Sequence, residues 1–136
     1  MVEAPAETLP IGSGEDVVRV RQTVRLRCVE AGFSLVDQTK MVTAASELAR
    51  NTLDHGGGGS VSIETIHLSN RKGVRLTFQD NGPGIADIAR ALQDGFTTGS
   101  GLGLGLGGAK RLTNDFSIES APGRGTRIMI ARWKST

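Results

Sequence analysis

Glycine alternates with serine and then leucine through residues 99–106, Gly-Ser-Gly-Leu-Gly-Leu-Gly-Leu, inside a stretch, 96–112, that ends Gly-Gly-Ala-Lys-Arg-Leu. The glycines bare backbone N–H groups on one side, while Leu102, Leu104 and Leu106 pin the other side to something apolar. Leading into a helix that starts near Leu106, such a loop makes an anion site from unpaired donors and aligned dipoles, and phosphate is the guest it suits. A flexible linker would not place leucines at alternate positions. Gly103, Gly105 and Gly108 satisfy the dinucleotide pattern G-x-G-x-x-G, but the preceding strand and the acidic residue about 20 positions on are missing. There is no Gly-Lys-Ser/Thr for a P-loop.

Two carboxylates and an amide stand out beside this loop. Residues 74–80, Val-Arg-Leu-Thr-Phe-Gln-Asp, alternate as a strand does, so Val74, Leu76, Phe78 and Asp80 share one side. The Asp80 carboxylate then points with the core residues, where it needs a donor or is costly to bury. Asn81-Gly82-Pro83-Gly84-Ile85 follows: Pro83 fixes φ, Gly84 readily takes the positive φ of a type II turn, and Gly82 is biased to an extended form. A flat ring can lie against that bare turn beside Asp80. On a helix expected over 35–55, Met41, Ala45, Leu48 and Thr52 share a face. At about 100° per residue from Met41, Asn51 falls about 80° and Glu47 about 120° to one side. Both sit at the rim of the core, one turn apart, within reach of one bound molecule.

The elements that must position these groups follow from periodicity and punctuation. Residues 1–7 read as a disordered leader and 8–136 as a single domain. A short strand over 8–11 is confined to a sheet edge by Pro10. Val17, Val20, Val24, Cys28 and Ala31 define an amphipathic helix over 15–31, capped by Ser13 or Gly14 and ended by Gly32. Ser34 with Asp37 signals the start of the second helix, which stops at the glycines of 56–59. Strands over 60–68 and 74–80 flank a turn at 69–73, with His67 on the strand surface. Ile85, Ile88, Ala89 and Leu92 mark a short helix ended by Gly95. After the glycine-rich loop and a helix to about Leu112, strands over 116–121 and 126–133 are joined by Pro122-Gly123-Arg124-Gly125, with Trp133 packing at the sheet edge. The expected fold is an α/β (α+β) two-layer sandwich: a mixed, largely antiparallel sheet of four or five strands with helices on one face. Residues 97–105 are its expected mobile lid.

Composition sets the class. A chain of 136 residues is enough for one self-sufficient core. The single Cys28 excludes a disulfide framework and fits a small core side chain in a reducing compartment. The N-terminus has neither a basic region nor an apolar run, and nothing reaches spanning length, so a soluble cytoplasmic protein is expected, without membrane partners. The formal charge of +2 is too small to argue for nucleic acid, although Lys110, Arg111, Arg124, Arg127, Arg132 and Lys134 would suit an anionic ligand or partner.

Glu47-Leu48-Ala49-Arg50-Asn51, Asp80-Asn81-Gly82-Pro83-Gly84, the glycine-rich loop and Gly123-Arg124-Gly125-Thr126 stand in that order. Together they resemble the N, G1, G2 and G3 boxes of the GHKL ATP-binding superfamily, which includes gyrase, Hsp90 and histidine kinases. The likeness spans about residues 8–134. Within it the chain is most similar to the small bacterial serine kinases of the anti-sigma regulatory group, above all the stressosome switch kinases of the RsbT type. Ser46-Glu47-Leu48-Ala49-Arg50-Asn51, Asp80 to Ile85, Asp94-Gly95-Phe96-Thr97-Thr98-Gly99 and Lys110-Arg111-Leu112 carry that closer match. Histidine kinases are disfavoured, since neither a phosphoacceptor helix nor a dimerisation domain fits this length.

The resemblance implies ATP and Mg²⁺ as cofactors. It makes Asp80 the acceptor for the adenine amino group, with Gly84 and Thr126 bordering the ring. It makes Asn51 the Mg²⁺ ligand, Glu47 the general base toward a substrate serine, and Gly101, Gly103 and Gly105 the wrap around the β- and γ-phosphates. Gly82, Ile85, Thr98, Gly99, Ser100, Leu102 and Leu104 complete the implied nucleotide site. The implied activity is a protein serine/threonine kinase acting on STAS-domain antagonist or scaffold proteins and, when released, activating a PP2C-type phosphatase or related output. The alternatives are an anti-sigma factor that inhibits a sigma subunit and a non-catalytic ATP-dependent interaction module. Arg50 fits a structural or partner-facing role better than a chemical one. Lys110 stays unassigned, and His55 is either an N-box residue or a cap on the helix C-terminus.

Overall fold

The computed structural model describes residues 6–92 and 105–135. Its elements run β1 (Glu7–Ile11), α1 (Gly14–Glu30), α2 (Leu35–Asp54), β2 (Gly59–Leu68), β3 (Arg71–Asp80), α3 (Ile88–Ala91), α4 (Leu106–Arg111), β4 (Asp115–Ser120) and β5 (Thr126–Trp133). The strands form one sheet in the order β1-β2-β3-β5-β4. Every pairing among them is antiparallel, so the mixed sheet expected from the sequence is corrected to an antiparallel one. Pro10 lies on β1, an edge strand as its missing N–H requires.

Local signals end the helices where the sequence places them. The Ser13 hydroxyl accepts from the Asp16 N–H and Ser34 from the Asp37 N–H, each satisfying a free donor of the first turn. After α1, Gly32 adopts φ +82°, and the N–H groups of Gly32 and Phe33 return to the carbonyls of Val29 and Cys28, a Schellman closure. Helix α2 closes on Asn51, whose carbonyl accepts from both His55 and Gly56, before Gly57 and Gly58 turn the chain with positive φ into β2.

Val17, Val20, Val24 and Cys28 of α1 and Met41, Ala45 and Leu48 of α2 are buried together with Val61, Ile63, Leu76, Phe78, Ile128 and Ile130 of the sheet. The intervening strand residues are mostly polar: Glu64, Arg75, Thr77, Glu119 and Arg127, with Met129, line an open depression on the other face, where Arg75 Nε meets Glu64 Oε1 at 2.7 Å across the β2–β3 pair. One face of the sheet therefore carries the helices and the core. Burial pushes the Cys28 thiol up to about 12, as expected of a packing side chain rather than a nucleophile.

Several expectations shift in detail. The β2–β3 turn is only Ser69 and Asn70, with Ser69 at φ 55°. Trp133 lies on β5, between β3 and β4 rather than on an edge strand; its indole Nε1 donates to Asp115 Oδ2 at 3.0 Å, and Arg71 stacks 5.5 Å from the ring centroid. Asp37 does more than begin α2. Its buried carboxylate accepts from Arg132 Nη2 at 2.7 Å, while Arg132 Nη1 donates to the Leu112 carbonyl at 2.7 Å, tying the start of α2 to β5 and to the end of α4. The hydrogen bonds from Arg132 and then Ser135 hold the Asp37 carboxyl below its ordinary range. The expected leader is corrected at Glu7, which opens β1 and pairs with Ile63; residues 1–5 of that leader and 97–104 of the expected lid lie outside the described residues.

Candidate functional site

Asp80 ends β3 and is buried on the helix-covered face, as the alternation of that strand requires. The donor it needs is close by: Gly82 N–H donates to Asp80 Oδ1 at 2.9 Å. In the sheet ladder Asp80 pairs with Gly59 on one side and Thr126 on the other, and Thr126 pairs with Ser120. Gly59, Asp80, Thr126 and Ser120 thus form one row across β2, β3, β5 and β4.

Glycines let three backbone segments close on this row. A β-carbon on Gly56, at the end of α2, would overlap the Asp80 carboxyl group. One on Gly82 would lie 2.7 Å from the Gly56 backbone. Gly84, at φ +78°, packs against the Ala121 carbonyl, and Gly125, at φ +76°, against that of Asp80. The positive φ at Gly84 is the one the Pro-Gly turn demands, and Pro83 accepts from Gly123 N–H at 2.8 Å. Ile85 lies just before α3 rather than inside it, because the helix is started by Asp87, whose Oδ1 accepts from Arg90 N–H. The Ile85 N–H donates instead to Ser120 Oγ at 2.8 Å, which also contacts the Gly125 carbonyl and Thr126 Oγ1, each at 2.8 Å.

A pocket of about 20 Å³ lies between this row and α2, lined by Asn51, Thr52 and His55, by Phe78, Asp80, Thr126 and Ile128, and by Ile85 and Leu106. That is room for about one water, so a ring would seat only by displacing wall residues, among them Ile85 in the turn before α3 and Leu106 at the start of the short α4. A wider depression of about 290 Å³ borders Asp80 and Thr126 from the side of Gln79, Glu119, Ser120, Arg124 and Arg127. Neither Asn51 nor Ile85 lines it.

Of the sequence-derived candidates, Asn51, Asp80, Ile85 and Thr126 meet in the pocket, with Gly82 and Gly84 shaping the turn beside it. Glu47 stands one turn before Asn51 and is exposed, its carboxylate against Gly105. Gly105, at φ +65°, is the residue from which α4 starts. Thr98, Gly99, Ser100, Gly101, Leu102, Gly103 and Leu104 lie outside the described residues. His55 stands at the C-terminal end of α2, its backbone N–H returning to the Asn51 carbonyl, and also lines the pocket, its Nε2 buried without a hydrogen-bond partner. Phe78 and Leu106 were legible as apolar packing positions but not as pocket walls, and Ile128 was not singled out at all. Ser120 was missed, although it shares strand parity with Phe116 and Ile118 and so points inward by the same alternation that singles out Asp80. Among the described residues no helix is long and apolar enough to cross a membrane.

Residues 36–136 match the family described as histidine kinase-, DNA gyrase B-, and HSP90-like ATPase. The chain is 45% identical over 118 residues to serine/threonine-protein kinase RsbT of Bacillus subtilis, covering 87% of this chain and 89% of that one. It is 33% identical over 119 residues to an anti-sigma F factor of Bacillus licheniformis, covering 82% and 80%. In fold it is similar to the structure of the RsbU and RsbW domains of a Mycobacterium tuberculosis protein, with TM-score 0.64 at 20% identity, over 98% of this chain and 33% of that longer one. The chain therefore belongs to the histidine kinase-, DNA gyrase B- and HSP90-like ATPase family, among its serine/threonine-protein kinases of the RsbT type.

Proposed function

We propose that this chain is an ATP- and Mg²⁺-dependent kinase that phosphorylates a serine on STAS-domain antagonist or scaffold proteins and, once released from them, activates a PP2C-type phosphatase or related output. The observation that carries the reading is the inward Asp80 carboxylate at a glycine-lined row, with Asn51 in the same pocket and Glu47 one helical turn before it. Asp80 accepts from the adenine amino group, and Thr126, Ile85 and the Gly82–Gly84 turn border the ring. Asn51 presents an amide oxygen, the hard donor Mg²⁺ takes, and one protein ligand is enough where phosphate and water complete the shell. Among the described residues no cluster of three His, Cys, Asp or Glu side chains offers a competing metal site. Bound there, the ion supplies charge neutralisation on the phosphates.

Glu47 is exposed, so a serine on a folded partner can reach it. It takes the hydroxyl proton as the serine oxygen bonds to the γ-phosphorus and the bond to the bridging oxygen of ADP breaks, a role worth about 10²- to 10⁴-fold in rate. Gly105, against the Glu47 carboxylate, continues the phosphate-wrapping glycines Gly101 and Gly103. The test is transfer of labelled γ-phosphate to a panel of STAS proteins by wild type and by Glu47→Ala. Labelling of a serine, lost in the variant while ATP binding persists, is the expected result. No labelling despite tight ATP binding would sink the kinase reading.

The similarity to anti-sigma F factors favours a second reading, stoichiometric inhibition of a sigma subunit. A stable complex with a purified sigma factor in a pull-down separates the two, since the switch kinase forms none.

A further inference from the structure

Ser120 Oγ has three neighbours at 2.8 Å: the Gly125 carbonyl, the Ile85 N–H and Thr126 Oγ1. A serine hydroxyl has one proton and two lone pairs. The Gly125 carbonyl can only accept, so it takes the proton; the Ile85 N–H can only donate, so it fills one lone pair. The contact with Thr126 then has one consistent polarity, with the threonine hydroxyl donating into the second lone pair. With its proton directed at Ser120, Thr126 can only accept from anything that enters the pocket. Asp80, beside it in the ladder, has one oxygen committed to Gly82 N–H and offers the other as an acceptor too.

We propose that Ser120, which borders the wider depression but does not line the small pocket beside α2, is a positioning residue that sets base selection: by holding the Thr126 proton it makes the rim formed by Asp80 and Thr126 an acceptor-only edge, selective for a purine with its amino group at C6. This rests on the reading of the pocket as a purine nucleotide site. An amino group at C6 of the base meets two acceptors. A keto oxygen at C6 meets the same two acceptors with no proton between them, and the one donor on that edge of the base, N1–H, reaches the rim only if the ring shifts from the seat that adenine takes, so the keto base binds there at a loss. Remove the Ser120 hydroxyl, and Thr126 is free to turn and donate to the keto oxygen.

The test compares binding of ATP and inosine triphosphate, which carries the keto group, by titration calorimetry. Wild type is expected to prefer ATP, Ser120→Ala to reduce the ATP-to-inosine-triphosphate affinity ratio by about tenfold, and Ser120→Thr, which keeps a hydroxyl, to hold the ratio. Thr126→Val, which removes the acceptor while leaving Ser120 its Gly125 and Ile85 partners, is expected to lower the ratio as well and tests the acceptor edge itself; if Ser120→Ala does not fold, Ser120→Cys, whose sulfur is a weak acceptor for the Thr126 proton, takes its place and is expected to lower the ratio. A merely structural Ser120 would weaken both nucleotides by the same factor. An unchanged ratio in Ser120→Ala or in Thr126→Val overturns the proposal while leaving the nucleotide site standing; failure of wild type to bind either nucleotide overturns the site itself.

Discussion

The Oε2 atom of Glu47 lies 2.5 Å from the position a β-carbon on Gly105 would occupy, so any side chain at residue 105 would push this carboxylate out of its present place. The φ of +65° at Gly105 adds a second reason for glycine. Gly105→Ala is expected to strain the backbone by about 1 kcal/mol and to push the Glu47 carboxylate aside. A displaced base costs about tenfold or more in phosphotransfer rate, since small misplacements of reacting groups are expensive. In a Glu47→Ala background the same substitution is expected to cost no further rate. Equal rate losses in both backgrounds, measured as single-turnover phosphorylation, would show that the glycine does not act through Glu47.

Asp80→Asn separates the structural and ligand-binding sides of one carboxylate. The amide oxygen of asparagine can still accept from Gly82 N–H, now at 2.9 Å, so the melting temperature is expected to move little. On the proposed reading of the pocket the other position becomes an NH₂ donor facing the adenine amino group, and ATP affinity is expected to fall by about tenfold or more. Calorimetric titration with ATP checks it, and unchanged affinity would remove Asp80 from the site.

Asp80 was legible because strand alternation fixes a side chain's face without knowledge of any partner, and the caps Ser13, Gly32 and Ser34 were legible because their bonds span only a few residues. The same local rule applied to β4 would have exposed Ser120, but its meaning depends on Ile85, 35 positions away in sequence. Asp37 shows the limit more sharply. Its place three residues after Ser34 reads as a helix start, whereas its strongest partner, Arg132, is 95 residues away and meets it only through the packing of α2 on β5. The adjacency of β3 and β5 was equally hidden, since only consecutive strands announce their pairing through a turn. The pocket walls escaped for a related reason: Phe78 and Ile128 are indistinguishable in sequence from core residues that face only each other.

Breaking the Asp37–Arg132 pair leaves a buried guanidinium without its carboxylate, and Asp37→Ala is expected to cost about 3 kcal/mol in urea denaturation near neutral pH. The pH dependence has a definite sign. The Asp37 carboxyl is held below its ordinary value by Arg132, so between the folded and unfolded values the unfolded chain binds more protons. The stabilisation is present above the unfolded pKa of about 3.9 and is lost as pH falls through the lower folded value. The stability gap between wild type and Asp37→Asn should be constant from pH 7 to 5 and shrink below about pH 4. A gap that widens on acidification would reverse the assignment.

Gly56 and Gly57 stand side by side at the end of α2 but resist substitution for different reasons. Gly57 has φ +75° with open space around it, so Gly57→Ala pays in backbone strain alone, about 1 kcal/mol. Gly56 has no positive φ, yet its β-carbon would overlap the Asp80 carboxyl group. Gly56→Ala must therefore move either Asp80 or the end of α2, and with the latter His55 and Asn51, which line the same pocket. The two variants are expected to lose comparable stability by urea titration, while ATP affinity falls by about tenfold only in Gly56→Ala, because only that change displaces a ligand-facing group. Parallel losses of affinity in both would mean that the C-terminal turn of α2 supports the pocket as a whole, and that the contact between Gly56 and Asp80 carries no separate share of binding.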